Sequence, residues 1–324
     1  MSFNGYKDTI NEGDSVVLYL TISQIYTVKA QARVLNKKGS EVENIFQTPY
    51  GALKCGELIG KAFGSKISLS KGWGYILQPT PELWSITLPH RTQIIYTPDI
   101  SMIIMQLEVC PGSRVIESGT GSGSLSHAFI RAVKPHGHLY TFDFHEVRCK
   151  TAEKEFDEHG LGNYVTVAHR DVCATGFGDN LDNSADAVFL DLPHPWIAIP
   201  HALKSLKESG GRICSFSPCI EQVQKTCLEL SKLGFQEIQT LEILQTQYNV
   251  QTRHIPIIDL EFVKTAKSES STEKKEKEVH KSLTSLPPAQ QPGHTGFLTF
   301  ATLYPVWARK ISIESVECEN EIDL

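Results

Sequence analysis

The sequence holds no apolar run near the roughly 18 residues that suggest a membrane span. Its first residues, MSFNGYKDTI, lack the apolar stretch of a secretory signal. Membrane and secreted classes are therefore not expected. Cysteines are scattered at Cys55, Cys110, Cys149, Cys173, Cys214, Cys219, Cys227 and Cys318, with no Cys-x-x-Cys pair. Without zinc-ligand spacing or a sign of an oxidising compartment, they read as reduced, mostly buried thiols, and no metal is expected. A basic excess is also missing. The 31 Lys and Arg stand against 37 Asp and Glu, a formal net charge of -6. Residues 311–324 carry Glu314, Glu317, Glu319, Glu321 and Asp323 and no base; without them 31 bases face 32 acids. A nearly neutral body is a poor match for a free-standing nucleic-acid binder. If the substrate is a nucleic acid, a partner is expected to supply part of the positive surface.

What is present is ordinary soluble composition: 324 residues, 40% hydrophobic, 21% charged and 9% aromatic. That length allows about two domains and a sizeable core. Residues 14–88 hold short β-branched and aromatic runs (VVLYLTI, IYTVKAQARVL, SKISL, YILQ) cut by Gly, Asn and Pro, the pattern of a small all-β domain. Tyr96-Thr97-Pro98-Asp99 precedes the apolar run ISMIIMQLEV and reads as a helix start.

Beyond residue 110 the pattern alternates. Strands are expected at 115–119, 139–144, 165–171, 186–192, 212–217 and 235–244, with helices at 124–134, 146–159, 196–208 and 219–233 between them. This is the signature of a doubly wound α/β sheet. Residues 264–293 are charged, Ser-rich and then Pro-rich, and read as a disordered linker inserted before a final apolar strand at 295–304. Lys274, Lys275 and Lys277 could form a nuclear address, but interleaved Glu favours a solvated linker. The final strand is expected at the edge of the preceding sheet. The resulting division is 1–88 (β-rich), 89–110 (connecting helix), 111–263 (α/β), 264–293 (linker), 294–304 (last strand) and 305–324 (acidic tail).

Chemistry concentrates at the first strand-to-helix turn, Glu117-Ser118-Gly119-Thr120-Gly121-Ser122-Gly123-Ser124. Glycines there let a ligand approach the backbone and leave helix amides free. A dinucleotide fingerprint G-x-G-x-x-G fails, because Ser124 stands at its third glycine. The fit is E-x-G-x-G-x-G, the form typical of S-adenosylmethionine methyltransferases. Asp143 ends the second strand, where an acid can accept both ribose hydroxyls. Asp171 ends the third, where an acid can meet an adenine amino group. Each aspartate alone could equally be a helix cap or loop residue. All three features in register at the carboxyl ends of strands argue for one ligand crevice. Asp191-Leu192-Pro193-His194-Pro195-Trp196 closes the fourth strand and resembles the D/N-P-P-aromatic motif of methyltransferases acting on nitrogens. The alternative there is a helix-capping Asp191 with Trp196 in the core.

Taken together, PTPELWSITLPHRTQIIY (79–96), ESGTGSGSLSHAFIR (117–131), DAVFLDLPHPW (186–196), CSFSPCIEQVQ (214–224) and GHTGFLTFAT (293–302) resemble the family of catalytic subunits of eukaryotic tRNA (adenine-N1) methyltransferases. Residues 51–69 also resemble that family's β-rich N-terminal domain. The resemblance implies a Rossmann-like class I methyltransferase sheet with a reversed last strand. It implies transfer of a methyl group from S-adenosylmethionine to N1 of T-loop adenosine 58, with similar sites in mRNA. It also implies a tRNA substrate, a noncatalytic RNA-binding paralogue forming a heterotetramer with two copies of each subunit, and a nuclear location. Carried over by position, Gln93, Ile94, Ile95 and Tyr96 would close the donor pocket. Glu117, Ser118, Gly119, Thr120, Gly121, Ser122, Gly123, Ser124 and Asp143 would cradle the cofactor, with Arg148 beside the ribose. Asp171 and Val172 would meet its adenine, and Asp191 would contact the target base. Relatives often carry Glu in place of Asp143 and a small residue in place of His194, which reads as structural. The rival readings are a noncatalytic paralogue, expected to have a broken turn or missing acid, and a methyltransferase for small molecules or proteins.

Overall fold

The computed structural model describes residues 3–36, 38–257, 279–290 and 293–309. One compact unit runs to Ile243 and resumes at Gly296, and Leu244–Thr295 forms a second. The expected boundary of the α/β domain at residue 263 therefore moves back to 243.

The chain opens with β1 (Ser15–Thr21), β2 (Gln24–Lys29), β3 (Arg33–Leu35), β4 (Glu41–Glu43), β5 (Ile45–Thr48), β6 (Gly51–Lys54), β7 (Lys66–Leu69) and β8 (Gly72–Leu77). Four of these form an antiparallel sheet in the order β2-β1-β8-β7, while β3–β4 and β5–β6 are hairpins. Strand periodicity places Ile67 and Leu69 inside and Lys66 and Ser68 outside. Val16, Leu18, Val28, Leu53, Leu58 and Ile76 complete the core. The all-β expectation for 1–88 fails at two places: Cys55–Leu58 is a 3-10 turn and Pro81–Thr87 is a helix, α1. Thr80 accepts the Leu83 N–H at its N-cap, and Pro81 fits a first turn that needs no amide donor. α2 (Thr97–Gln106) follows, burying Ile100 and Ile103.

Next come β9 (Arg114–Ser118), α3 (Ser124–Val133), β10 (His138–Asp143), α4 (Glu146–Glu158), β11 (Val165–His169) and the short α5 (Val172–Thr175). They are followed by β12 (Ala187–Asp191), α6 (Pro195–Ser205), β13 (Gly211–Ser217), α7 (Ile220–Lys232), β14 (Gln236–Leu241), β15 (Asn249–Pro256), β16 (Val279–Leu286) and β17 (Phe297–Leu303). The main sheet has the order β11-β10-β9-β12-β13-β17-β14. Strands β9 to β13 are parallel, and β17 is antiparallel to both neighbours. From β9 the chain steps outward to β11 and then crosses to β12 on the other side. The carboxyl end of β9 is thus a topological switch point, where open α/β sheets bind ligands.

Two expectations need correction. The last strand does not sit at the edge: β17 is inserted between β13 and β14, and β14 holds the edge. β17 reads FLTFATL and is almost wholly buried, whereas β14 reads QEIQTL and is half exposed. The expected linker is also not structureless throughout. Residues 279–286 form β16, paired in antiparallel register with β15 from Asn249↔Leu286 to Pro256↔Val279. The stretch 264–278, with its lysine cluster, and residues 291–292 lie outside the described residues. So does 310–324, nearly all of the expected acidic tail; within 305–309, a helical turn covers 306–309.

Candidate active site

A cavity of about 520 Å³ opens at the carboxyl ends of β9, β10, β11 and β12, within the roughly 300–1,000 Å³ typical of cofactor sites. Its floor is the glycine turn. Gly119, Gly121 and Gly123 have φ of 102°, 51° and 76°, the left-handed region that L side chains enter at a cost. Space is short as well. A Cβ on Gly119 would stand 2.5 Å from the Asp191 carbonyl oxygen, and one on Gly121 2.7 Å from Thr92 Oγ1. The Gly119 and Thr120 amides donate to the Phe142 carbonyl at 2.8 and 3.2 Å, tying the turn to β10. Gly123 is the N-cap of α3 and has no side chain to cap it, so the helix presents its first amides where an anion or hydroxyl can take them.

Four acidic residues stand around the turn. Glu117 is buried, accepts the Ser126 hydroxyl at 2.6 Å, and is pushed up to about 7 by burial, helped by the charges of Asp191 and Asp143. Asp143 is also buried. Its Oδ2 accepts the Gly121 amide at 3.0 Å, its Oδ1 accepts the His145 amide at 2.8 Å, and Arg148 stands 3.2 Å from Oδ1. Asp171 lines the cavity and also caps α5, with Oδ1 accepting the Cys173 and Ala174 amides at 3.0 and 3.3 Å. Its alternative reading as a helix cap thus describes one of its two carboxylate oxygens. Asp191 is half-buried, and burial, with the Asp143 charge second, raises it to about 6.

The segment before α2 closes one wall. Ser122 Oγ accepts the amides of Arg91 (2.9 Å) and Thr92 (3.1 Å), and Ser124 Oγ donates to the Ile95 carbonyl at 2.9 Å. Arg91 is paired with Glu155 of α4 at 2.5 Å. The serines of the turn therefore hold the strand of chain that carries Gln93, Ile94 and Ile95 against the cavity. On the opposite wall, the Gln222 side-chain amide of α7 donates to the Pro193 carbonyl at 3.0 Å, while its Oε1 accepts the Cys219 amide. The Cys-Ile-Glu-Gln run thereby steadies the turn after Asp191. Pro195 rather than Asp191 starts α6, and the N-cap is His194. Trp196 is half-buried and packed against the core, with Lys225 over its ring.

The cavity wall includes Gln93, Ile94, Ile95, all of Glu117–Ser124, Asp143, Arg148, Asp171, Val172 and Asp191. Tyr96 is the exception. It is the exposed N-cap of α2 and does not line the cavity, because the chain turns into the helix there. Lining residues not anticipated include Thr92, Phe142, Phe144, His145, Arg170, Cys173, Phe189 and Ile197. Phe144 carried a signal: it follows the strand-end acid, and the residue is 64% exposed while lining the cavity. His194, expected to be structural, also lines the cavity with an exposed ring 5.1 Å from that of Trp196.

Residues 72–303 match the family described as tRNA methyltransferase complex GCD14 subunit. The chain belongs to that family. It is 43% identical over 314 residues to the tRNA (adenine(58)-N(1))-methyltransferase catalytic subunit of Dictyostelium discoideum, covering 91% of this chain and 97% of that one. With the corresponding catalytic subunit of Candida albicans it is 47% identical over 256 residues, 78% of this chain and 73% of that one. Among solved structures, a SAM-dependent O-methyltransferase from Thermotoga maritima is 30% identical with a TM-score of 0.71, covering 92% and 95% of the two chains. The tRNA (m1A58) methyltransferase TrmI from Aquifex aeolicus, 24% identical with a TM-score of 0.66 over 91% and 99%, shares the fold. The sheet is thus the class I methyltransferase sheet preceded by a small β domain, and the family's common ground is methyl transfer.

Proposed function

We propose that this chain is a catalytic subunit that moves a methyl group from S-adenosylmethionine to N1 of adenosine 58 in the tRNA T-loop. One observation carries the reading: Gly119 of the turn abuts the backbone of Asp191, so a cofactor cradle and the strand-end carboxylate share one crevice. The residues present fit the cofactor. Gly119 and Gly121 leave no room for a Cβ atom, Asp143 keeps lone pairs for ribose hydroxyls beyond those its amide donors use, and Phe144 and Val172 line the same cavity. Glu117, raised to about 7 by burial despite its bond from Ser126, would be drawn back to its charged form by a nearby ammonium.

When bound, the cofactor supplies an electrophilic methyl group on a sulfonium. Adenine N1 already carries an in-plane lone pair, so no residue has to create the nucleophile. The walls formed by Gln93–Ile95 and by Leu192–His194 hold the ring in place, and such positioning is worth about 7–11 kcal/mol in ideal model systems. Asp191 accepts a hydrogen bond from the exocyclic amino group. It stabilises positive charge as the ring is alkylated and can then take the amino proton. Partial burial makes that carboxylate a stronger acceptor than one in water. N1 lies on the pairing edge, so the base has to leave its stack, at a cost of roughly a few kcal/mol.

The rival readings are not favoured. The turn and its acids are intact, unlike the expectation for a noncatalytic paralogue, and the Dictyostelium and Candida relatives are named catalytic subunits of a tRNA methyltransferase. The proposal extends to a noncatalytic, RNA-binding paralogue as partner, with two copies of each subunit, in the nucleus. The near-balance of 31 bases and 32 acids over residues 1–310 supports a partner; the stoichiometry and location rest on the family resemblance. The test is transfer of labelled methyl into tRNA, with and without the paralogue, followed by mapping of the modified atom. Label at N1 of adenosine 58 that depends on the partner supports the whole reading. Label on another atom overturns the assignment, and full activity of the isolated chain overturns the partner.

A further inference from the structure

Behind the glycine turn lies a buried pair of histidines that the proposed chemistry does not use. His127 on α3 and His159, just past α4, are both buried, with His127 Nε2 2.9 Å from His159 Nδ1. His127 Nδ1 is 2.6 Å from the Gly123 carbonyl oxygen, which also accepts the His127 backbone N–H at 3.2 Å, so the ring adds a second and shorter bond to the first helical one. A carbonyl only accepts, so His127 Nδ1 carries a proton. Neutral His127 then offers Nε2 as an acceptor, and His159 Nδ1 donates to it. Both tautomers are thereby fixed, and the pair is a directed chain from His159 through His127 to Gly123. Phe3 stacks on His159 at 4.1 Å, and Trp84 meets its edge at 4.9 Å. Burial pushes His127 down to about 4 and His159 down to about 2, with Arg91 adding to the first, and His127 and Lys29 to the second. Arg91 and Lys29 are themselves paired with Glu155 and Glu158, and the pair is neutral at physiological pH.

The carbonyl being held belongs to the peptide that also contains the Ser124 N–H. In a trans peptide these two groups point in opposite directions. Drawing the Gly123 oxygen back along α3 therefore aims the Ser124 amide out of the helix end, where Gly123 and Ser124 line the cavity. We propose that His127, oriented by His159, is a positioning residue of the cofactor site that sets the aim of the Ser124 amide. The inference rests on reading the cavity as the S-adenosylmethionine site.

The test measures S-adenosylmethionine affinity and the KM and kcat of the full chain assembled with its partner. His127→Leu removes the ring donor and leaves the backbone N–H at position 127 on the Gly123 carbonyl; about a 10-fold rise in cofactor Kd and KM is expected, the size of one lost buried hydrogen bond, with kcat at saturation within about 2-fold. His127→Asn places an N–H where Nδ1 stands and is expected to restore affinity to within about 3-fold of wild type. If the leucine variant fails to fold, His159→Phe keeps the stacking but not the donor, and about a 3-fold KM rise is expected. Equal loss in the leucine and asparagine variants, or a fall in kcat with KM unchanged, would overturn the inference. Wild-type affinity in a folded His127→Leu or His159→Phe protein would overturn it alone. Absence of cofactor binding by the wild type would overturn it together with the reading of the cavity.

Discussion

Gly119→Ala should separate backbone strain from damage to the site. At φ 102° an alanine pays the left-handed penalty, about 1–2 kcal/mol, equivalent to roughly 1.5–3 °C in Tm for a chain of this size. The added Cβ would also stand 2.5 Å from the Asp191 carbonyl oxygen, where ordinary contact begins at 3.4 Å. The Asp191 backbone therefore has to retreat by roughly 0.9 Å, and a displacement near 1 Å at a reacting centre costs about 100-fold in rate. Gly234→Ala is the control. Gly234 has φ 81° and nothing within 4 Å of its hypothetical Cβ, so it should lose similar stability and keep its turnover. The assay is thermal melting alongside methyl transfer to tRNA at saturating cofactor. If Gly119→Ala turned over like Gly234→Ala, the reasoning that couples the turn to Asp191 would be refuted.

Other perturbations probe the remaining contacts. Transfer should fall as pH drops through about 6, because Asp191 has to be ionised and burial has raised it to that value; a kcat/KM profile without an acid limb there would contradict the role. A carboxyl raised in the folded state gives its full stability below its unfolded value near 3.8 and loses it as pH rises through about 6. Asp191→Asn should accordingly melt higher than wild type at pH 8 and lose that advantage below pH 4, while methylation is largely gone at either pH. Gln222→Ala removes the donor to the Pro193 carbonyl, and a hydrogen bond of about 0.5–1.5 kcal/mol predicts a kcat lower by about 2- to 10-fold with cofactor KM unchanged. Arg91→Met strands buried Glu155 and should cost about 3–5 kcal/mol in denaturant unfolding. Adding Glu155→Leu should return most of that stability.

Most of the residues that line the cavity were legible in the sequence because their signals are local. Three glycines, Asp143, Asp171 and Asp191 each follow a strand whose apolar run is plain, and strand ends converge in any doubly wound sheet. The wall at Gln93–Ile95 was legible only through family resemblance, since its placement depends on hydroxyls of Ser122 and Ser124 bonding to a segment some 30 residues away. Tyr96 stays outside the cavity because the helix that Thr97-Pro98 starts turns the chain away at the residue before it. The position of β17 is a long-range choice, yet a clue existed. QEIQTL has the half-polar pattern of an edge strand and FLTFATL the apolar run of an interior one. In the same way, Pro81 after Thr80 marked a helix start inside a region otherwise read as strands. The β15–β16 hairpin was hidden because charged sequence masks the alternation in VHKSLTSL.

The most direct test of the central claim is a paired measurement on Asp191→Ala, assembled with its partner: cofactor affinity by calorimetry, and labelled methyl at N1 of adenosine 58 in tRNA. Near-normal affinity with almost no N1 label is the predicted result. Wild-type labelling by the alanine variant would contradict it.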